Sequence, residues 1–338
     1  MKRFVVLTAI SLAAVLVTTA GAGTSGDSLK GAGSSFVSPL VQTWVQPYEA
    51  ATGVHIDYNP IGSGGGIQAI TNRTVDFGAS DAPLTADQFN ACNGCVQIPW
   101  ALSSTSVAYN LPGVSTHLKI TGPVIANIFL GKVKKWNDPA LKKLNPGVNL
   151  PDTDITPIFR SDGSGTTYNF TDYLAKVSPE WKSKVGTGTQ VNFPAGAGGR
   201  GSSGVSAVLS RTPGGIIYVD VAFALKSHFS FFKVKNKAGV FQLPGARAII
   251  AAGAIVKRVN PDNKISIVDP PRTARLAYPI CTFTYVILPT KTDNAAALRK
   301  FVFWGLTGGA KYGPKLLFEP VPKVVLSASE KTLKKVKS

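Results

Sequence analysis

Three short stretches of this 338-residue chain share one design, small residues and hydroxyls where a strand gives way to a helix. They are Ser34-Ser35-Phe36, Ser63-Gly64 and Ser164-Gly165-Thr166. A helix start presents N–H groups with no partner inside the helix, together with the positive end of the helix dipole, so it attracts anions. Glycine lets the backbone approach a ligand closely, and Ser or Thr adds a hydroxyl donor. Plain N-capping accounts for any one such turn, because Ser and Thr are preferred caps. Three in one chain, with Arg160 just upstream of the third, point instead to a small-anion site.

Other chemistries find less support. Gly31-Ala32-Gly33-Ser34-Ser35-Phe36 lacks the third glycine of the dinucleotide fingerprint. Gly199-Arg200-Gly201-Ser202-Ser203-Gly204 does match it, with Asp220 downstream, but a lone match among 34 glycines carries little weight. No P-loop lysine pattern and no G-x-S-x-G nucleophile elbow occurs. His55, His117 and His228 belong to no motif. No second Cys or His pair has zinc-ligand spacing. The expectation is therefore a binding protein and not an enzyme, with no catalytic residue, no metal and no cofactor.

The elements that must position these turns alternate as in an α/β fold. Val37, Leu40, Val41, Trp44, Val45 and Tyr48 recur at spacings of three and four, which predicts a helix that stops near Thr52-Gly53. Val54 to Tyr58 alternates like a strand. Ile67 and Ile70 mark a second helix, and Val75 to Asp81 a short buried strand ending on an acid. Ser106 to Asn110 reads as a strand, Gly122 to Leu130 as a helix, and Trp136 to Pro139 as the start of a short helix. Ile155 to Phe159 is a strand that runs into Arg160, followed by a helix through Tyr168, Phe170, Tyr173, Leu174 and Val177. The Gly-rich stretch 196–204 leads to a helix from Val205 to Leu209. Ile216 to Val219 and Thr282 to Leu288 are strands, and Leu298 to Trp304 is a late helix. The region 226–278 reads as irregular and basic.

The length favours two lobes over one core. Hydrophobic content of 44% and aromatic content of 9% exclude a disordered chain. At the N-terminus, Lys2 and Arg3 precede an apolar run from Phe4 to Val17, then the small residues Thr18 to Ala22. That order predicts a secretory signal peptide over residues 1–22, with the mature chain starting near Gly23. The apolar run is shorter than the ~20 residues a spanning helix needs. No cysteine lies near the cleavage site to carry a lipid, so a periplasmic or extracellular location is expected.

Removing Lys2 and Arg3 takes the formal charge from +18 to +16 (18 − 2), still strongly basic. For an exported chain without an aromatic-basic stripe, nucleic acid is the poorest partner, and a small anion or an anionic envelope polymer fits better. The C-terminus carries Lys331, Lys334, Lys335 and Lys337 beside Glu330 and reads as a solvated, frayed tail, or else as an electrostatic tether to such a polymer. Cys92-Asn93-Gly94-Cys95 is a candidate local disulfide or a redox pair, although the βαβ context of the latter is missing. Cys281, in an apolar run, reads as buried.

These stretches resemble the phosphate-binding protein of the high-affinity phosphate ABC transporter, the PstS family. The resemblance is carried by Gly31 to Phe36, Ile61 to Gly66, Val75 to Pro83, Leu130 to Trp136, Leu144 to Gly147, Asp162 to Thr166, Tyr173 to Val177 and Val185 to Gly188. It is dense from residue 31 to about 225, thin through 226–278, and resumes at Tyr278-Pro279-Ile280. It implies a two-lobed, type II periplasmic-binding-protein fold whose chain crosses between lobes near Ser106 and near Thr282. The lobes would be 23–106 plus 283–338, and 107–282. A monomer is expected, carrying inorganic phosphate to ABC transporter permease subunits.

Carried over residue by residue, the resemblance has Ser35, Phe36 and Ser63 donating to phosphate from one side. Arg160, Ser164, Gly165 and Thr166 hold the other side. Asp81 accepts the phosphate proton, and Asp162 orients Arg160 without touching the ligand. Position 35 is often Thr in the family, and Ser keeps the hydroxyl. The Cys92/Cys95 loop is particular to this chain. Two readings compete: a secreted phosphoester-processing protein on the same fold, and a basic cell-wall-associated protein.

Overall fold

A computed structural model describes residues 28–338 apart from position 115. The predicted signal peptide lies outside these residues. In chain order the first elements are β1 (Ser28–Gly33), α1 (Ser38–Thr52), β2 (His55–Asn59), α2 (Ser63–Thr71), β3 (Phe77–Ser80), α3 (Ala86–Cys92) and β4 (Cys95–Asn110). Then come β5 (Lys119–Ile120), α4 (Gly122–Phe129), α5 (Pro139–Leu144), β6 (Thr156–Arg160), α6 (Gly165–Val177), α7 (Pro179–Lys184), β7 (Ala197–Gly199), α8 (Gly201–Ser210) and β8 (Gly215–Asp220). The last are α9 (Val221–Lys226), β9 (Ser230–Phe231), β10 (Lys233–Lys235), β11 (Phe241–Gln242), α10 (Ala246–Gly253), β12 (Cys281–Pro289), α11 (Ala295–Leu306) and α12 (Lys323–Leu333).

The main sheet runs β2-β1-β3-β12-β4-β8-β6-β7, with β9 added beside β4. β1 lies parallel to β2 and β3, and β6 lies parallel to β7 and β8. Between these two parallel groups stand the antiparallel strands β12 and β4. β4 serves both halves. Up to Ser104 it pairs with β12, and from Thr105 it pairs with β8. The fold is thus α/β and two-lobed, with one long strand common to both lobes.

Each half has its own aromatic core. Trp44 and Tyr48, one helical turn apart on α1, pack edge-on against Trp100, Phe301 and Trp304. In the other half Phe129, Phe170 and Phe193 surround Tyr218. The spacing of three and four on α1 therefore does what it predicts, burying Leu40, Val41, Trp44 and Tyr48 on one face. Gly53, at φ 73°, ends that helix with its N–H on the Glu49 carbonyl.

Three readings of the sequence need correction. β4 begins at Cys95, well before Ser106, because its early part is buried on both faces and shows no alternation to read. The helix expected from Val205 starts at Gly201, where a φ of +69° favours glycine. The C-terminus is not frayed: Lys323–Leu333 is a helix, Val336 is fully buried, and the Lys337 N–H donates to the Thr290 carbonyl at 2.8 Å. The lysines hid it, since they occupy only the exposed face.

Cys92 and Cys95 pair as a disulfide at the turn from α3 into β4. The Arg73 guanidinium lies 3.3 and 3.4 Å from the two sulfurs and donates to the Cys92 carbonyl at 2.8 Å. Cys281 is buried, and that burial pushes its thiol well above the usual range. Within 226–278, the helix α10 and three short strands interrupt irregular chain.

Candidate functional site

The first turn is built around Ser34. Its Oγ accepts the N–H groups of Phe36 and Val37, at 3.0 and 3.3 Å, closing the turn that leads into α1. With those lone pairs filled, its own proton goes to Asp81 Oδ1 at 2.6 Å. The Phe36 ring is fully buried, edge-on to Phe318, and anchors the turn from below. The next hydroxyl, Ser35, accepts the backbone N–H of Ser202 at 3.0 Å and lies 3.1 Å from the Ser202 hydroxyl.

The second turn places Ser63 as the first residue of α2. Its Oγ accepts the Asp81 N–H at 3.3 Å and sits 3.4 Å from Asp81 Oδ2. It also accepts the Gly165 N–H at 3.0 Å from the opposite lobe. At the third turn, Ser164 caps α6 by accepting the Thr167 N–H at 3.1 Å. Thr166 Oγ1 is buried with no hydrogen-bond partner among the described residues.

A fourth helix start joins them. The Gly201 N–H at the head of α8 donates to Asp162 Oδ1 at 2.9 Å, and Ser202 meets Ser35 as described. Reasoning from sequence missed this member, although Gly199 to Gly204 carries the same small-residue and serine signal as the other three.

Arg160, at the end of β6, brings the fixed charge. Its Nε and Nη2 donate to Asp162 Oδ1 and Oδ2 at 2.7 and 2.5 Å, a two-pronged ion pair. Burial pushes the Asp162 carboxyl up, but Arg160 and the Gly201 N–H outweigh it and hold the group below its usual range. The Tyr218 hydroxyl accepts the Arg160 N–H at 3.0 Å and fixes the strand end.

Asp81 is 1% exposed at the end of β3. Burial pushes its carboxyl up to about 6, against the opposing pull of the Ser34, Thr284 and Ser63 hydroxyls and of Arg160. From the other lobe, Asn169 Nδ2 donates to the Asp81 carbonyl at 3.1 Å. A second acid, Asp220, is fully buried nearby. Burial, aided by the charge of Asp81, pushes it up to about 8.

The structure therefore gathers Ser35, Phe36, Ser63, Asp81, Arg160, Asp162, Ser164, Gly165 and Thr166 around four helix starts, with Ser34, Ser202 and Asp220 beside them. Cys92 and Cys95 lie elsewhere, on the far end of α2 with Arg73. Four positive helix ends and one guanidinium favour an anion. Asp81, which unlike Asp162 is not engaged in an ion pair, stands as an acceptor among these donors and favours an anion that carries a proton.

A family model described as a PBP superfamily domain matches residues 18–307. Phosphate-binding protein PstS of Xylella fastidiosa (strain Temecula1) is 41% identical over 303 residues, covering 88% of this chain and 83% of that protein. Phosphate-binding protein PstS of Pasteurella multocida is 39% identical over 319 residues, covering 93% and 92%. Among solved structures, a high affinity periplasmic phosphate-binding protein, PfluDING, bound with phosphate, superposes with a TM-score of 0.72 at 21% identity, covering 90% of this chain and 92% of its own. The phosphate-binding protein of Stenotrophomonas maltophilia gives 0.70 at 19% identity, covering 90% and 93%. These two likenesses speak for the fold.

Proposed function

This chain belongs to the PstS family of phosphate-binding proteins within the PBP superfamily, and we propose from that premise that it is an extracytoplasmic receptor that binds inorganic phosphate and hands it to an ABC transporter permease. The observation that carries the reading is the convergence of four helix starts on Arg160 and on Asp81, both buried. In this reading Ser35, Phe36 and Ser63 donate from one lobe, and Arg160, Ser164, Gly165 and Thr166 from the other. Asp162 keeps Arg160 in place.

Selectivity follows from Asp81. Phosphate near neutral pH keeps a proton, whereas sulfate does not. A carboxylate accepts that proton but faces sulfate with an unpaired charge, so it acts as a repulsive element against the wrong anion. An unpaired polar partner in a dry site costs about 1–3 kcal/mol. That is roughly tenfold to a hundredfold discrimination from one residue. Around ten donors at ~1 kcal/mol net each, offset in part by ordering costs, suffice for micromolar binding without a metal.

Closure brings the donors together. We place the hinge where β4 changes partner between Ser104 and Thr105, beside Ile280, whose carbonyl accepts the Thr105 N–H at 2.8 Å. The closed form is what a permease would read. Among the described residues no helix is long and apolar enough to cross a membrane. The exposed Lys331, Lys334, Lys335 and Lys337 support retention at an anionic envelope polymer, and salt-dependent release from isolated walls tests that.

Calorimetric titration is the decisive experiment for the receptor. One phosphate per chain is expected, with sulfate a poor competitor. Absence of heat after endogenous ligand has been stripped would overturn the reading. Turnover of an aryl phosphate would support the phosphoester-processing alternative instead.

A further inference from the structure

Asp220 does two things at once. Its Oδ1 accepts the Phe223 N–H at 3.0 Å and caps α9. Its Oδ2 is buried and has no hydrogen-bond partner among the described residues. A capping acid needs only one oxygen, and a second one left bare in the interior is costly. Beside it across the strand pair, Thr105 of β4 has a buried hydroxyl that likewise finds no partner among the described residues. The Ser202 hydroxyl is near enough to pull the Asp220 carboxyl down against its burial, although the two are not hydrogen-bonded in this arrangement. Ser202 in turn meets Ser35, oxygen to oxygen, at 3.1 Å.

We propose that Asp220 is a positioning residue of the anion site, which sets through Ser202 the direction in which the Ser35 hydroxyl points its hydrogen. The inference rests on the phosphate-receptor reading and deepens it. Ser35 Oγ already accepts the Ser202 N–H at 3.0 Å, so it has one lone pair and one hydrogen left. A protonated Asp220 donates to Ser202, and Ser202 then donates to Ser35. Both lone pairs of Ser35 are now filled, and its hydrogen turns to the bound anion. An ionised Asp220 reverses the chain. It draws the Ser202 hydrogen, Ser202 draws the Ser35 hydrogen, and Ser35 turns a lone pair toward the anion.

The two acids of the site thereby take opposite roles. Asp81 stays ionised as an acceptor above about pH 6, while Asp220 is pushed up to about 8 and stays neutral as the source of a donor chain. The charged groups facing Asp220 are Asp81, which raises it, and Arg160, which lowers it and is itself engaged by Asp162. Tyr218, two residues back on the same strand, bonds Thr167 and the Arg160 N–H. The chain Asp220–Ser202–Ser35 thus carries the fourth helix start into phosphate recognition.

The test is the phosphate dissociation constant of the full chain between pH 7 and pH 9.5, by calorimetry, for wild type, Asp220→Asn and Ser202→Ala. Asn keeps the cap acceptor for α9 and donates permanently to Ser202. Wild type should weaken about tenfold or more across the window, the value of one hydrogen bond to a charged ligand. Asp220→Asn should flatten that change to within about twofold, and so should Ser202→Ala. The double variant should add nothing to the flattening. Melting curves establish that each variant folds. A pH profile in Asp220→Asn that parallels wild type overturns the proposal, as does a Ser202→Ala profile that keeps the full change. Failure of wild type to bind phosphate at pH 7 would instead overturn the receptor reading.

Discussion

The Ser63 hydroxyl accepts the Gly165 backbone N–H at 3.0 Å, tying the start of α2 to the start of α6 across the two lobes. Beside it the Gly64 N–H donates to the Gly163 carbonyl at 2.9 Å. One contact uses a short hydroxyl and the other joins backbone to backbone, with little side-chain bulk between the lobes. The glycines in the turns are therefore spacing elements between lobes as much as helix starts.

Gly165→Ala tests that spacing. A Cβ at this position would stand 2.6 and 2.7 Å from the Asp81 and Ala82 nitrogens, both in the opposite lobe. Backbone cannot yield as a flexible side chain can, so the lobes must part. The helix itself gains, since Ala is a better helix former than Gly. The expected outcome is a ligand-free melting temperature within a few degrees of wild type and a phosphate affinity at least about tenfold weaker. Unchanged affinity by calorimetry would mean that the phosphate-bound form does not use this approach.

Asp81→Asn addresses selectivity. An amide offers the ligand an N–H in place of a second carboxylate oxygen, so the penalty against sulfate disappears. Sulfate should bind about tenfold or more tighter than to wild type, and phosphate should lose affinity. Wild type should show the same trend with acid. Below about pH 6 Asp81 takes up a proton, and a neutral carboxyl no longer repels sulfate. Competition titrations at pH 5 and pH 7.5 check both statements. A constant phosphate-to-sulfate ratio would refute the acceptor role.

How much of this was legible in the sequence depends on how local each signal is. The turns at Ser34, Ser63 and Ser164 were readable because the cap, the glycine and the helix follow one another within a few residues. α1 was readable from the period of Leu40, Val41, Trp44 and Tyr48. The fourth start at Gly201 carries the same residues, but its one motif match is a dinucleotide fingerprint of little weight, and nothing local tells which anion a glycine loop meets. Asp220 could not be ranked above any other acid, because its burial depends on β4 pairing with β8 far along the chain. Ser34 was visible, but its bond to Asp81 joins two turns 47 residues apart. The C-terminal helix was masked by its own charge.

Asp162→Asn isolates the support of Arg160. The ion pair is shielded from water, with 2% and 10% of the two side chains exposed. Removing one partner leaves a buried guanidinium without its hydrogen-bonded countercharge, a loss of about 3 kcal/mol or more. The amide cannot serve the Gly201 N–H and both guanidinium nitrogens at once. Ligand-free Asp162→Asn should therefore melt several degrees below wild type. Phosphate should raise its melting temperature more than it raises that of wild type, because the anion supplies the missing charge. An equal ligand shift in the two proteins would argue against Arg160 as the anion's partner.

The pH dependence of stability follows from the two raised acids. In the unfolded chain a carboxyl titrates near ~4. Folded, Asp81 is pushed up to about 6 and Asp220 to about 8, in both cases chiefly by burial. Between the two values the native state holds more protons than the unfolded state, so stability falls as pH rises. The share from Asp81 is present below about pH 4 and is spent by about pH 6, while the share from Asp220 continues to decline until about pH 8. Urea midpoints of phosphate-free protein should therefore drop from pH 5 to pH 6.5 and drop again to pH 8. In Asp220→Asn the second drop should vanish and the first should shrink to the share of Asp81 alone, because an amide does not titrate and Asp81 is already ionised above pH 6.5. A wild-type midpoint that rises between pH 6.5 and pH 8 would mean that Asp220 is ionised in the native protein at neutral pH.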